Sequence, residues 1–342
     1  MNFRRLAFAA ADHLPLPDMV LRTAITTLCA RTARELAASP PTATANFAAR
    51  MGARPIALHT DAANAQHYEL PPEFFALCLG PNRKYSSCLH AQGDSLAQAE
   101  ARALAETCAH ADLADGQDIL ELGCGWGSLS LWMATHYPNA RITAVSNSRP
   151  QRVYIEAEAA ARGLTNVRVI TADMNVFDPG AQFDRVVSVE MFEHMSNWRD
   201  LLGRIRGWIK PDGRLFLHVF SHHSTPYSFE TGDPSDWIAQ HFFTGGIMPS
   251  HDLVRELADL FTVQADWHWD GTNYAQTARA WLANFDRNRP AINVVLRQVY
   301  GAAAPMWARR WRIFFLATEG LFGYRNGREW AVSHYLLAPV GA

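Results

Sequence analysis

Between residues 118 and 220 the chain alternates short strand-like runs with stretches of helical periodicity, and this alternation restricts the fold more than any other feature. The strand-like runs are 118–122 (DILEL), 141–145 (RITAV), 167–171 (VRVIT), 184–189 (DRVVSV) and 213–220 (GRLFLHVF). Helical patterns lie between them, as at 150–162 and 198–209. Strands separated by helices predict a parallel sheet covered on both faces. Two later runs, 261–269 (FTVQADWHW) and 331–337 (AVSHYLL), close it at seven strands.

The flanks divide the chain into residues 1–110, a helical extension that caps the body, and residues 111–342, the α/β body itself. Segment 19–38 sets apolar residues at helical spacing with Arg22, Arg31 and Arg34 between them. Such a helix docks on the body, or else lies on a membrane surface. Segment 67–90 reads as irregular around one short helix, and 95–111 as a clear helix. Pro226, Pro234 and Pro249 break the rhythm over 222–250, which reads as a lid, and 275–320 is a helical insertion. No apolar run reaches 18 residues, so no transmembrane helix is expected. The apolar patch behind Arg4 and Arg5 is brief for a signal peptide. Five cysteines without a CxxC pair predict free thiols and a cytoplasmic protein that needs no metal. A net charge of -2 does not point to nucleic acid as a partner.

The first strand runs into Gly123-Cys124-Gly125-Trp126-Gly127 and then a helix. Ligand sites in open α/β sheets lie at the carboxyl ends of the strands, where a glycine turn lets backbone approach a ligand closely. The loop has no Lys-Ser/Thr for a phosphate and is GxGxG, not GxGxxG, so both a P-loop and a dinucleotide fit poorly. A small zwitterion carrying a ribose suits it better. An acidic residue before three alternating glycines resembles the signature of class I methyltransferases, a Rossmann-like fold that binds S-adenosylmethionine.

Seven stretches then occur in order: YSSC (85–88), LELGCGWGSL (120–129), VSNSRPQ (145–151), FDRVVSVEMFEHM (183–195), GRLFLH (213–218), GGIMPS (245–250) and TNYAQT (272–277). Together they resemble the cyclopropane-fatty-acid synthase superfamily over roughly residues 65 to 337. EMFEHMSNW (190–198) and FGYRNGREWAVSHYLL (322–337) are similar to the coclaurine-type N-methyltransferases within it. The resemblance implies that Tyr85 and Ser86 contact the methionine part of the cofactor and that Gly123 and Gly125 pass under it. It sets Ser146, Asn147 and Gln151 at the ribose region, and Asp173 and Met174 at the adenine. The second strand lacks the acidic residue that many methyltransferases direct at the ribose.

Glu190, Glu193 and His194 stand at spacings of three and four, which on a helix share one face. They follow a strand end, where a proton acceptor and a cation-stabilising carboxylate serve methyl transfer to an amine. The N-methyltransferases resembled here use this set for amine binding and deprotonation. The cyclopropane synthases instead hold a bicarbonate ion, whose holders by position are Glu193, His218 and Tyr274 with the backbone near Phe220. Ser87 stands where the family has a cysteine, and Thr318 where a late cysteine was once given a catalytic role. Two acceptors therefore stay open: a small amine, walled by Trp237, Trp267, Trp269, Trp281, Trp307, Trp311 and Trp330, or an unsaturated phospholipid acyl chain met by peripheral membrane contact. His222 and His223 read as a surface pair without metal-ligand spacing. A homodimer is compatible with either acceptor.

Overall fold

The structure is a computed structural model that describes residues 14, 16–58, 70–229 and 237–341. The N-terminal apolar patch, residues 67–69 and Pro234 of the lid lie outside the described residues. In chain order the elements begin with helices α1 (Asp18–Ala37), α2 (Ala43–Met51), α3 (Pro72–Cys78) and α4 (Leu96–His110). The alternating body follows as β1 (Asp118–Leu122), α5 (Ser128–His136), β2 (Arg141–Ser146), α6 (Arg149–Ala161), β3 (Val167–Thr171), β4 (Phe183–Val189), α7 (Trp198–Trp208) and β5 (Ile209–His222). The remainder is β6 (Tyr227–Ser228), α8 (Trp237–His241), β7 (Ile247–Met248), β8 (Phe261–Trp269), α9 (Gly271–Arg287), α10 (Arg289–Tyr300), α11 (Ala304–Gly323) and β9 (Trp330–Pro339).

The seven expected strands form one sheet in the order β3-β2-β1-β4-β5-β9-β8. The first five are parallel, and β9 runs antiparallel to both β5 and β8. Strand order reverses between β1 and β4, which opens a crevice beyond their carboxyl ends. Leu120, Leu122, Val186, Leu215 and Leu217 bury one face of the sheet against α7, while Ile119, Val187 and Phe216 pack beneath α4 and α5 on the other. A strand buried on both faces gains apolar burial at nearly every residue, which is why these runs read as continuous rather than alternating.

Local chemistry fixes the helix starts. Ser95 and Gln98 form a reciprocal capping box at the head of α4, with the Gln98 side chain accepting from the Ser95 N–H at 2.9 Å. Gly271 opens α9 where a Cβ would lie 2.0 Å from the Trp330 carbonyl oxygen and 2.5 Å from that of Phe322. Only glycine lets α9 begin against β9, and that contact aims Tyr274 toward the crevice.

Helix α1 docks on α11. Cys29 and Ala33 are buried in that interface, Arg22 pairs with Glu319 at 2.9 Å, and Arg312 grips Asp18 through two bonds of 2.5 and 2.9 Å. Arg22 is thus committed to the body and Arg31 pairs along its own helix with Glu35, so these two of the three arginines face protein partners. Among the described residues, no helix is long and apolar enough to cross a membrane.

The tryptophans correct an expectation. None of the seven named for a substrate box borders the crevice cavities. Trp281, Trp311 and Trp330 are fully buried core residues, and Trp267 stacks on His110. Their area stabilises the packing of α9 and α11 against the sheet.

Candidate active site

Two adjoining cavities, about 900 and 700 Å³ with the space open to solvent included, occupy the crevice. They share Gly123, Gly125, Gln151, Glu190 and His194 as walls. Tyr85 and Ser86 border the larger; Ser146, Asn147, Asp173 and Met174 border the smaller. All nine residues the sequence nominates for a cofactor thus border these two adjoining cavities.

The glycine turn shapes that space. Gly123, Gly125 and Gly127 all have positive φ, at 79°, 52° and 76°. A Cβ on Gly123 would strike the Met191 Cβ at 2.6 Å, whereas one on Gly125 would meet no protein atom within 4 Å and would project into the crevice. Ser146 donates to Gln151 Oε1 at 2.6 Å, which leaves Gln151 Nε2 buried with no protein partner. Ser128 Oγ and Trp126 Nε1, also in the cavity walls, are orphaned in the same way. Buried donors without partners are costly unless a ligand completes them. The residues present therefore fit a polar cofactor such as S-adenosylmethionine. Glu121 at the larger cavity is pushed up to about 7 by burial, against a hydrogen bond from Ser130. It is the acidic residue that opens the glycine motif.

Glu190 is the hub of the reaction end. It closes β4 with φ of 48°, the left-handed region that a non-glycine residue occupies only under constraint. One carboxylate oxygen accepts from the Ser87 N–H at 2.9 Å and lies 3.3 Å from His218 Nε2; the other accepts from the Tyr274 hydroxyl at 2.7 Å. Burial raises its pKa, while the nearby Lys84 ammonium pulls the other way. Lys84 itself is buried and donates to Ser86 Oγ at 2.5 Å and to the Ser87 carbonyl at 2.7 Å. It braces the loop that carries Tyr85 and Ser86, and nothing in the sequence marked it out.

The expected helix over Glu190, Glu193 and His194 is not formed. A single 3-10 turn spans Phe192–His194, and the next α-helix starts at Trp198. Glu193 is 0% exposed, and its carboxylate accepts from the Phe220 N–H at 2.6 Å while its second oxygen has no protein partner. Burial, then the negative charge of Glu190, raise its pKa well above the ordinary range. His194 reaches both cavities and stacks on Phe243 at 4.8 Å between ring centres. Burial holds it down at about 4, so it presents a neutral ring at physiological pH.

The bicarbonate expectation fails on the same geometry. His218, Tyr274 and the Ser87 backbone all address the Glu190 carboxylate, and the Phe220 N–H addresses Glu193. The Ser87 hydroxyl turns away and donates to the Cys88 carbonyl at 3.2 Å. Side-chain carboxylates hold the donors that a bound anion needs, so the residues do not fit bicarbonate. Thr318 is likewise spent, donating to the Phe314 carbonyl at 2.9 Å.

His222 is not a surface residue. It is buried, and Glu329 lies 3.3 Å from its ring and 3.7 Å from that of His223, a grouping with metal-ligand spacing in space but none in sequence. Arg325 holds the other Glu329 oxygen at 2.9 Å and already supplies a cation there. The aromatic walls of the crevice come from Tyr85, Trp126, Phe220, Phe243, Tyr274 and Phe314.

Residues 58–326 match the mycolic acid cyclopropane synthetase family. The chain is 36% identical over 288 residues to (S)-coclaurine N-methyltransferase of Thalictrum flavum subsp. glaucum, covering 82% of this chain and 80% of that one. It is 28% identical over 269 residues to cyclopropane-fatty-acyl-phospholipid synthase of Escherichia coli (strain K12), covering 78% of this chain and 66% of that one. A crystal structure of coclaurine N-methyltransferase bound to N-methylheliamine and S-adenosylhomocysteine superposes with a TM-score of 0.93 at 33% identity, over 96% of this chain and 98% of that one.

Proposed function

We propose that the methyl acceptor is a small amine, taking as premise that the chain belongs to the mycolic acid cyclopropane synthetase family and is an S-adenosylmethionine-dependent methyltransferase. The observation that carries this reading is the Glu190 carboxylate, which gathers Ser87 N–H, His218 and Tyr274 at the meeting of the two cavities. A fixed negative charge there favours an acceptor that is cationic on arrival and on departure. An acyl-chain double bond offers it nothing before the methyl arrives.

In this reading Gly123, Gly125, Tyr85 and Ser86 hold the methionine part of the cofactor, Ser146, Asn147 and Gln151 its ribose, and Asp173 and Met174 its adenine. The bound cofactor supplies an electrophilic methyl group on a sulfonium. An ammonium nitrogen has no lone pair, so a base must first take its proton. The neutral His194 and the Glu190 carboxylate both face the cavities; burial makes His194 a weak base and raises the proton affinity of Glu190, so Glu190 takes the proton. The freed lone pair then forms the N–CH3 bond while the S–CH3 electron pair returns to sulfur. Glu190 balances the charge left on nitrogen, with Tyr274 and Ser87 fixing its carboxylate. Phe220, Phe243 and Phe314 exclude water from the reacting end.

Incubation with S-adenosylmethionine and two substrate sets tests this. One set is heliamine and coclaurine, and the other is vesicles of phospholipids with unsaturated acyl chains. Mass spectrometry is expected to find a gain of one CH2 unit on the amines. A gain on the acyl chains with none on the amines would overturn the amine reading.

A further inference from the structure

We propose that three buried imidazoles, His218, His334 and His110, form a relay that stores the amine's proton on His110, beside the Glu106 carboxylate, while Glu190 stabilises the new cation. The inference rests on the amine reading above. It answers a difficulty in that reading: a carboxylate that has accepted the ammonium proton is neutral, and can no longer balance the charge on nitrogen.

The relay is continuous in space. From Glu190 Oε1 it runs 3.3 Å to His218 Nε2, then 2.8 Å from His218 Nδ1 to His334 Nε2. It continues 2.8 Å from His334 Nδ1 to His110 Nδ1, and 3.1 Å from His110 Nε2 to Glu106 Oε1. His218 and His334 are register partners on β5 and β9, and His110 ends α4 above them. Both inner rings are fully buried, whereas the Glu106 side chain is 45% exposed. Trp267 stacks on His110 at 3.8 Å, and Trp269 and Phe216 flank His334, so the rings' polar atoms face along the chain.

Proton counting shows what the chain lacks. Four gaps join five groups, and each gap needs one proton to be a hydrogen bond. Three neutral imidazoles supply three. The fourth is the proton taken from the substrate. With it on Glu190, every ring points its N–H toward Glu106. Three transfers in concert leave His110 as an imidazolium beside the Glu106 carboxylate, with Glu190 ionised again and every gap still filled. The groups facing the chain favour that end state. Burial disfavours a positive charge on every ring; Lys84 adds to that penalty on His218 and His334, while Glu106 offsets part of it on His110. The ammonium N–H bond breaks, the N–CH3 bond forms and the S–CH3 pair goes to sulfur while the proton is stored. When the methylated amine leaves, the same transfers reverse and Glu190 releases the proton to water through the open crevice, so one proton is lost per turnover.

The test follows kcat/KM for heliamine against pH in the wild type, in His334→Leu and in Glu106→Gln. Without storage, only amine that arrives already neutral reacts, and that fraction rises tenfold per pH unit below the amine's own pKa. The wild type is expected to be nearly flat from pH 7 to 9. His334→Leu is expected to be at least tenfold lower at pH 7, to climb with unit slope, and to come within about threefold of wild type by pH 9.5. Glu106→Gln, at the surface and safe for folding, should shift the same way by about threefold at pH 7. Binding of S-adenosylhomocysteine by calorimetry reports the integrity of each variant. A loss equal at every pH, or wild-type rates in both variants at pH 7, would overturn the relay. If the wild type methylates no amine, the amine reading itself has failed.

Discussion

Valine in place of Gly125 is expected to weaken S-adenosylhomocysteine binding at least 100-fold, measured by calorimetry on the folded variant. The reason is where the new atoms would stand. A Cβ at residue 125 meets no protein atom within 4 Å, because it projects into the space that both cavities share. The penalty therefore falls on the ligand rather than on the core. It is the complement of Gly123, whose Cβ would strike Met191 and disturb the fold directly. A 100-fold loss corresponds to about 2.7 kcal/mol, a reasonable cost for overlapping one branched side chain with a ligand. The positive φ of Gly125 adds about 1–2 kcal/mol of strain to the folded state, so the midpoint of unfolding should drop by some degrees without loss of the fold. Affinity within threefold of wild type would remove this loop from the cofactor site.

Glu190→Gln should lower amine turnover by about 100- to 10,000-fold and leave S-adenosylhomocysteine affinity within threefold. Glutamine keeps the length of the side chain and removes its charge. Its amide can accept through one oxygen only, so of Ser87 N–H, His218 Nε2 and Tyr274 O–H at least one loses its acceptor. Both the base and the counter-charge for the methylated nitrogen are then absent. Single-turnover kinetics separate the two readings of a slow variant: a loss in the chemical step with unchanged substrate saturation belongs to catalysis. Turnover within a few-fold of wild type would place the essential carboxylate elsewhere, with Glu193 the next choice.

The sheet was legible because doubly buried strands carry continuous apolar runs, and each run between 118 and 220 overlaps a strand of the structure. The last of them extends further, as β5, because β9 pairs with it from Leu215 to His222 and prolongs the ladder past the apolar stretch. The cofactor crevice was legible because the glycine loop and the ends of β2 and β3 are local motifs whose meeting place the topology dictates. The turn at Glu190 was not. Spacings of three and four fit a helix and a strand end followed by a 3-10 turn equally well, and only the backbone reveals the left-handed residue between them. The tryptophans misled because aromatic content says nothing of which wall a ring joins. Contacts set by register were the least accessible: His218 meets His334 across 116 positions and His222 meets Glu329 across 107, and no sequence period marks such pairs. Lys84 stayed unseen for a related reason, since a lysine is rarely buried and its burial here depends on the loop folding back over it.

On the amine reading, the Glu190 carboxylate takes the position of an external anion and receives the amine. A crystal structure of this protein with S-adenosylhomocysteine and N-methylheliamine tests it most directly. The amine nitrogen is expected within about 3 Å of Glu190, with Ser87 N–H, His218 and Tyr274 still addressing that carboxylate. A planar anion held by those three donors, with Glu190 turned out of the crevice, would contradict it.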